Sequence, residues 1–179
     1  MIAAIVLAAG EASRYGGPKQ RLLLTEVLAR VRQSAVDEVV VVEGAYSLET
    51  ETRIVRCSDW RLGPGASLRC GLAALPDEAE AAVVVLADGP DLAPAAIDRL
   101  IGAWRAGAGD VLAASYAGER GHPVLLARAA WDRVPDEGAR ALTPVLVPCD
   151  DLSSPGDVDV PEDLPARFRE QSGAPPASP

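Results

Sequence analysis

Ile2-Ala3-Ala4-Ile5-Val6-Leu7-Ala8-Ala9-Gly10 is an apolar run that ends abruptly at a glycine and opens into Glu11-Ala12-Ser13-Arg14-Tyr15-Gly16-Gly17-Pro18-Lys19. A strand with one wet face alternates apolar and polar residues, whereas an unbroken run of this length is buried on both faces, as in a parallel sheet covered by helices. Residues 36–43 (VDEVVVVE) and 81–87 (AAVVVLA) repeat the pattern, and weaker strand signals lie at 52–57, 110–115, 123–126 and 145–147. Between them, residues 21–32, 67–75 and 94–106 carry apolar side chains at helical spacing, such as Leu24, Val27, Leu28 and Val31. Strands alternating with helices predict βαβ units and a three-layer α/β domain around a mostly parallel sheet. One connection is short for a parallel crossover: residues 45–51 separate the second and third strands, which predicts either a displaced third strand or a crossover helix cut to one turn.

The chain has 179 residues, 49% hydrophobic and 24% charged, which is the size and composition of one ordinary domain. Residues 1–169 are expected to form that domain, and 170–179, rich in Pro, Ser and Ala, a disordered tail. The net charge of −9 argues against nucleic-acid or anionic-membrane partners. The first apolar run lacks the basic leader of a secretory signal, and no run is long enough for a membrane helix. Cys57, Cys70 and Cys149 are few, odd in number and without metal spacing, so the expectation is reduced thiols in a cytoplasmic protein, with neither zinc site nor disulfide.

The basic residues are one-sided: Lys19 is the single lysine among 17 Lys and Arg residues, and asparagine is absent. A lysine that persists under such a bias suggests a task for a compact point charge. Its loop follows a buried strand, where open α/β sheets place ligands. Gly10, Gly16 and Gly17 allow successive amides to face an anion, and Arg14 and Lys19 add cations suited to a triphosphate. The loop is neither a Walker A loop, because Pro18 precedes Lys19 and Gln20 follows it, nor a GxGxxG dinucleotide loop.

Leu7-Ala8-Ala9-Gly10, Arg14 and Gly17-Pro18-Lys19 resemble the LAAGxSxRxGxPK signature of nucleotidyltransferases of the molybdenum cofactor cytidylyltransferase type. Further elements agree in order: residues 60–72 (WRLGPGASLRCGL), Leu86-Ala87-Asp88-Gly89-Pro90, Arg120-Gly121-His122-Pro123-Val124, Asp136-Glu137-Gly138-Ala139-Arg140, and residues 157–164 (DVDVPEDL). The resemblance spans residues 1 to about 165 and implies a Rossmann-like nucleotidyltransferase fold with a mixed, mostly parallel central sheet. It implies Mg²⁺-dependent transfer of a nucleoside monophosphate, CMP from CTP, onto a phosphorylated acceptor such as molybdopterin, with release of pyrophosphate. A molybdoenzyme or a maturation protein would be the downstream partner.

By the same resemblance Arg14, Lys19 and Asp88 are the catalytic residues and Asp88 and Asp159 the metal carboxylates. Leu7, Ala8, Ala9, Gly10, Arg14, Lys19, Gly65 and Ser67 would hold the nucleotide, and Arg120, His122 and Arg140 the acceptor. Asp157, two residues from Asp159, is an alternative metal ligand, and Asp159 or Ser67 could instead be helix caps. Guanylyl relatives tend to read LAGG where this chain has Leu7-Ala8-Ala9-Gly10, which favours CTP over GTP. The chain departs from the pattern in three places. A turn expected after Pro18-Lys19 is missing, Gly89 stands where relatives carry Gln or Met, and Val160 replaces Thr. These changes leave GMP transfer, a sugar- or lipid-phosphate acceptor, or a non-catalytic nucleotide-binding module as alternatives.

Overall fold

The computed structural model describes residues 1–11 and 19–168. Its elements are β1 (Ile2–Ala8), α1 (Lys19–Val31), β2 (Glu38–Glu43), β3 (Arg53–Arg56), α2 (Pro64–Ala73), β4 (Ala81–Leu86), α3 (Pro94–Arg105), β5 (Val111–Tyr116), β6 (Glu119–Ala127) and β7 (Val145–Pro148). Short 3₁₀ turns join several of them. The strands make one sheet in the order β3-β2-β1-β4-β6-β5-β7. All neighbours are parallel except β6, which runs antiparallel to both β4 and β5. The sheet is therefore mixed and mostly parallel.

The apolar run around Ile5 forms the centre. Ile5 pairs with Val40 on one side and Val84 on the other, and its side chain is fully buried. Burying a side chain of this size contributes about 2 kcal/mol. Ala4, Val6 and Ala8 face a core filled by Leu24, Val27 and Leu28 of α1 and Ile97, Leu100 and Ile101 of α3. Ala3, Ile5 and Ala9 face the opposite layer, filled by Leu68 and Leu72 of α2. Three layers result, and the period-3.6 apolar residues of each helix supply the contact.

The short link between β2 and β3 is resolved without displacement: β3 lies beside β2, parallel, at the sheet edge. The crossover contains no helix. The Glu43 carboxylate takes a helix's place as organiser, accepting the Leu48 amide (2.8 Å) and pairing with Arg56 (3.1 Å).

Two features aim the chain at the site. A two-residue turn, Ala117-Gly118 with both φ positive (52° and 80°), folds β6 back along β5. The β5–β6 register then slips, from Ala113↔Val124 to Ser115↔Arg120, so that 121–123 bulge out of the ladder. Pro123 has no amide to donate there, and bulges re-aim side chains. In addition, Leu23 of α1 packs with Val158, Leu164 and Phe168 in a separate cluster. That cluster fastens the last described segment to the start of α1.

The expectation of three reduced cysteines is corrected. Cys57 and Cys70 form a disulfide, Cα to Cα 5.8 Å, and only Cys149 is free and buried among the described residues. The 3₁₀ turn Trp60–Leu62 folds the chain back so that the end of β3 meets α2. Thirteen residues of sequence separation carry no metal or redox motif, so the pairing had no local signal. No helix among the described residues is long and apolar enough to cross a membrane.

Candidate active site

The chain leaves β1 toward β2 on one side, while β4 lies on the other, and this divergence opens a crevice at the strands' carboxyl ends. The Ala87 amide donates to the Leu7 carbonyl (3.0 Å), fixing the two strand ends side by side. A cavity of about 340 Å³ opens there, lined by Leu7, Ala9, Gly10, Trp60, Gly63, Pro64, Ser67, Leu86, Ala87 and Asp88.

Lys19 begins α1 and is only 6% exposed. A buried ammonium needs compensating partners. It has three: Asp88 Oδ2 at 2.9 Å, Asp159 Oδ1 at 3.8 Å and the Val158 carbonyl. Residues from the start of α1, the end of β4 and the C-terminal segment thus converge on one cation. The C-terminal segment is stitched in place by the Val158 amide to the Asp88 carbonyl (3.3 Å), the Asp91 amide to the Pro155 carbonyl (2.9 Å) and Arg167 to Asp91 (2.6 Å). Gly89 belongs to this stitching. A Cβ there would lie 2.9 Å from the Pro155 Cβ, so glycine lets residues 155–156 lie against the turn after β4.

The two carboxylates suit Mg²⁺ or Mn²⁺, which bind one or two carboxylates and complete their shell with substrate phosphates and water. Among the described residues no cluster of three or more His, Cys, Asp or Glu side chains could hold a metal alone. Asp159 is the partner Lys19 reaches, whereas Asp157 lines a second cavity. The amides of Asp159 and Val160 both donate to Asp163 Oδ2 at 3.1 Å, so Asp163 is the organising carboxylate of the 3₁₀ turn Pro161–Asp163.

The second cavity, about 380 Å³, lies behind Gly89 and is lined by residues that include Arg120, His122, Pro155 and Asp157. His122 has its Nδ1 buried with no hydrogen-bond partner among the described residues. Burial pushes its pKa down, with Arg120 adding to the effect, against opposing pulls from the Val84 carbonyl and Asp88. The imidazole is therefore neutral near pH 7. Arg120 spends its guanidinium on three carbonyls, those of Ala139, Arg140 and Leu142.

Of the residues expected from sequence, Leu7, Ala9, Gly10, Ser67 and Asp88 line the first cavity, Lys19 and Asp159 adjoin it through the Lys19 contacts to both aspartates, and Arg120 and His122 line the second. Arg14 lies outside the described residues, as do Gly16, Gly17 and Pro18. Ala8 and Gly65 are not in the lining. Gly65 sits behind the wall, its amide donating to the Asp136 carbonyl (2.9 Å). A Cβ there would fall 1.8 Å from the Pro135 oxygen, so close packing is what glycine serves at this position. Ser67 is buried in the fourth position of α2, where Gly63 is the cap residue, so it is not an N-cap. Arg140 is exposed and lines neither cavity. Trp60 was not expected. It stands at the first cavity with Arg61 stacked 4.5 Å from its ring centroid, and its one signal was its position at the start of the 60–72 motif.

The profile of MobA-like NTP transferase domains matches residues 4–146. The chain belongs to this family. It is a nucleotidyltransferase of Rossmann-like fold, which sets aside the non-catalytic module. Among solved structures, the homologue of Mycobacterium tuberculosis Rv0371c from Mycobacterium sp. strain JC1 is 26% identical, with a TM-score of 0.75 over 90% of this chain and 92% of that one. Rv0371c from M. tuberculosis H37Rv, in a complex with manganese, is also 26% identical, with a TM-score of 0.66 over 90% and 95%. A CMP:2-keto-3-deoxy-manno-octonic acid synthetase complexed with CTP shares the fold at 12% identity, TM-score 0.69, over 96% and 98%. No curated protein matches the chain.

Proposed function

We propose that this NTP transferase moves CMP from CTP to a phosphorylated acceptor such as molybdopterin, using Mg²⁺ and releasing pyrophosphate. The observation that carries the reading is the convergence of Lys19, Asp88 and Asp159 beside the cavity at the ends of β1 and β4. An acceptor phosphate oxygen forms a bond to the α-phosphorus as the bond to the bridging oxygen of pyrophosphate breaks. Little covalent work falls to the protein, so positioning and charge stabilisation dominate. Asp88 and Asp159 would hold Mg²⁺, which would supply positive charge to the phosphate oxygens.

Within this reading Leu7, Ala8, Ala9 and Gly10 offer the backbone edge of the nucleotide cavity, with Ser67 on its opposite wall and Arg14 and Lys19 as cations for the triphosphate. Lys19 exchanges its carboxylate contacts for phosphate oxygens. The acceptor occupies the second cavity, whose wall contains Arg120 and His122, with Arg140 on the adjoining turn. A neutral His122 can offer a single hydrogen bond but no charge. Support for CTP comes from the Leu7-Ala8-Ala9-Gly10 pattern and the fold shared with a CTP-bound synthetase; support for a divalent metal comes from the manganese-bound Rv0371c. The reaction is placed in the cytoplasm, where nucleoside triphosphates are available, although a chain with a Cys57–Cys70 bridge no longer argues for that compartment through its thiols.

Thermal-shift screening of the four NTPs with and without Mg²⁺ tests the reading, because a ligand that binds the native state raises its melting temperature. A shift largest with CTP and Mg²⁺ is expected; a shift with GTP alone would replace CMP by GMP, and none at all would overturn the proposal.

A further inference from the structure

We propose that Arg120, although it lines the second cavity, is a positioning residue for the first, acting through residues 134–142 on the start of α2. The inference rests on the nucleotide reading of that cavity. Arg120 Nη1 donates to the carbonyls of Arg140 (3.0 Å) and Leu142 (2.8 Å), and Nη2 to that of Ala139 (2.8 Å). Three carbonyls replace the hydration of a half-buried guanidinium, whose pKa burial pushes down. The contacts lead away from the second cavity and hold a turn.

From that turn the same segment locks onto α2. The Gly65 amide donates to the Asp136 carbonyl (2.9 Å), and the Pro135 oxygen fills the space a Cβ at residue 65 would need. Arg69, one helical turn on, donates to the Val134 carbonyl (2.9 Å) and to Asp136 Oδ1 (2.6 Å). Ala139 and Val134 are buried in the core cluster that contains Leu68 and Leu72 of α2. Gly63, Pro64 and Ser67, in the stretch so clasped, line the nucleotide cavity. Releasing the 139–142 turn therefore loosens a wall of a cavity that Arg120 itself does not line. A lysine cannot reproduce the clasp, because an ammonium lacks the planar fork that meets several carbonyls at once.

The test compares wild type, Arg120→Met and Arg120→Lys by calorimetric CTP binding in the presence of Mg²⁺, by amide hydrogen exchange over residues 63–69, and by steady-state kinetics where an acceptor is in hand. Both variants should bind CTP at least tenfold more weakly and exchange the Gly65 amide faster, with KM for CTP rising more than KM for the acceptor. Arg69→Met, which opens the same clasp from its other end, should reproduce the exchange change. Wild-type CTP affinity and exchange in Arg120→Met would overturn the inference, as would full rescue by Arg120→Lys or a defect confined to the acceptor's KM. Should the wild type bind no nucleotide, the functional reading fails, and exchange at Gly65 still decides whether Arg120 braces α2.

Discussion

Lys19 Nζ lies 2.9 Å from Asp88 Oδ2, so the chain's one lysine and the carboxylate that follows β4 form an ion pair beside the first cavity. This contact joins two segments sixty-nine positions apart, and each partner has a separate measurable consequence.

Replacing Lys19 by Ala should lower turnover by 10² or more, about 2.7 kcal/mol in transition-state terms. The measurement is pyrophosphate release with the correct acceptor. Turnover near wild type would remove Lys19 from the chemistry.

Asp88→Asn should abolish Mg²⁺-dependent pyrophosphate release and leave the far-ultraviolet circular dichroism spectrum unchanged. An amide oxygen is a weak substitute for a carboxylate toward a hard cation. A variant whose rate retains the wild-type metal dependence would show that the ion is held elsewhere.

His122 sets a pH dependence of stability. Its pKa is lowered from 6.5 in the folded chain, so below pH 6.5 the unfolded chain binds the extra proton first and folding loses free energy as pH falls. Wild-type melting temperature should decline just below pH 6.5, in a window above that of most carboxylates. His122→Gln should flatten that part of the curve, and an identical slope in both proteins would contradict a neutral buried imidazole.

The contact of Leu164 with Leu23, Val158 and Phe168 holds the segment that carries Asp159. Leu164→Ala should cost about 2–3 kcal/mol in urea unfolding. It should also raise the metal concentration needed for half-maximal rate, because Asp159 loses its backing. A purely global loss, with metal dependence intact, would separate the cluster from the site.

Much of this arrangement is legible in the residues themselves. The runs around Ile5, Val40 and Val84 announce strands buried on both faces because no polar residue interrupts them, and the loop before Lys19 stands where such sheets bind ligands. Strand order is a different matter, since it depends on contacts between distant segments. The strand Glu119–Ala127 was legible only over 123–126, because Arg120, Gly121 and Pro123 carry weak strand propensity and belong to a bulge. The reading of Ser67 as a possible cap failed because the helix starts three residues earlier, at Pro64, a good first-turn residue whose signal competed with the neighbouring glycines. Gly65 was expected among the nucleotide-holding residues by resemblance alone; the close approach of the Pro135 oxygen, which leaves no room for a Cβ there, has no local pattern to reveal it. The Cys57–Cys70 pairing was hidden for the same cause.

The docking of Val158, Leu164 and Phe168 on Leu23 has a consequence for biosynthesis. Translation delivers the sheet and Lys19 with Asp88 well before it delivers Asp159. Every strand of the sheet is therefore synthesised before Asp159, and a product terminated near residue 150 would contain all of them but lack the carboxylate proposed as the second metal ligand.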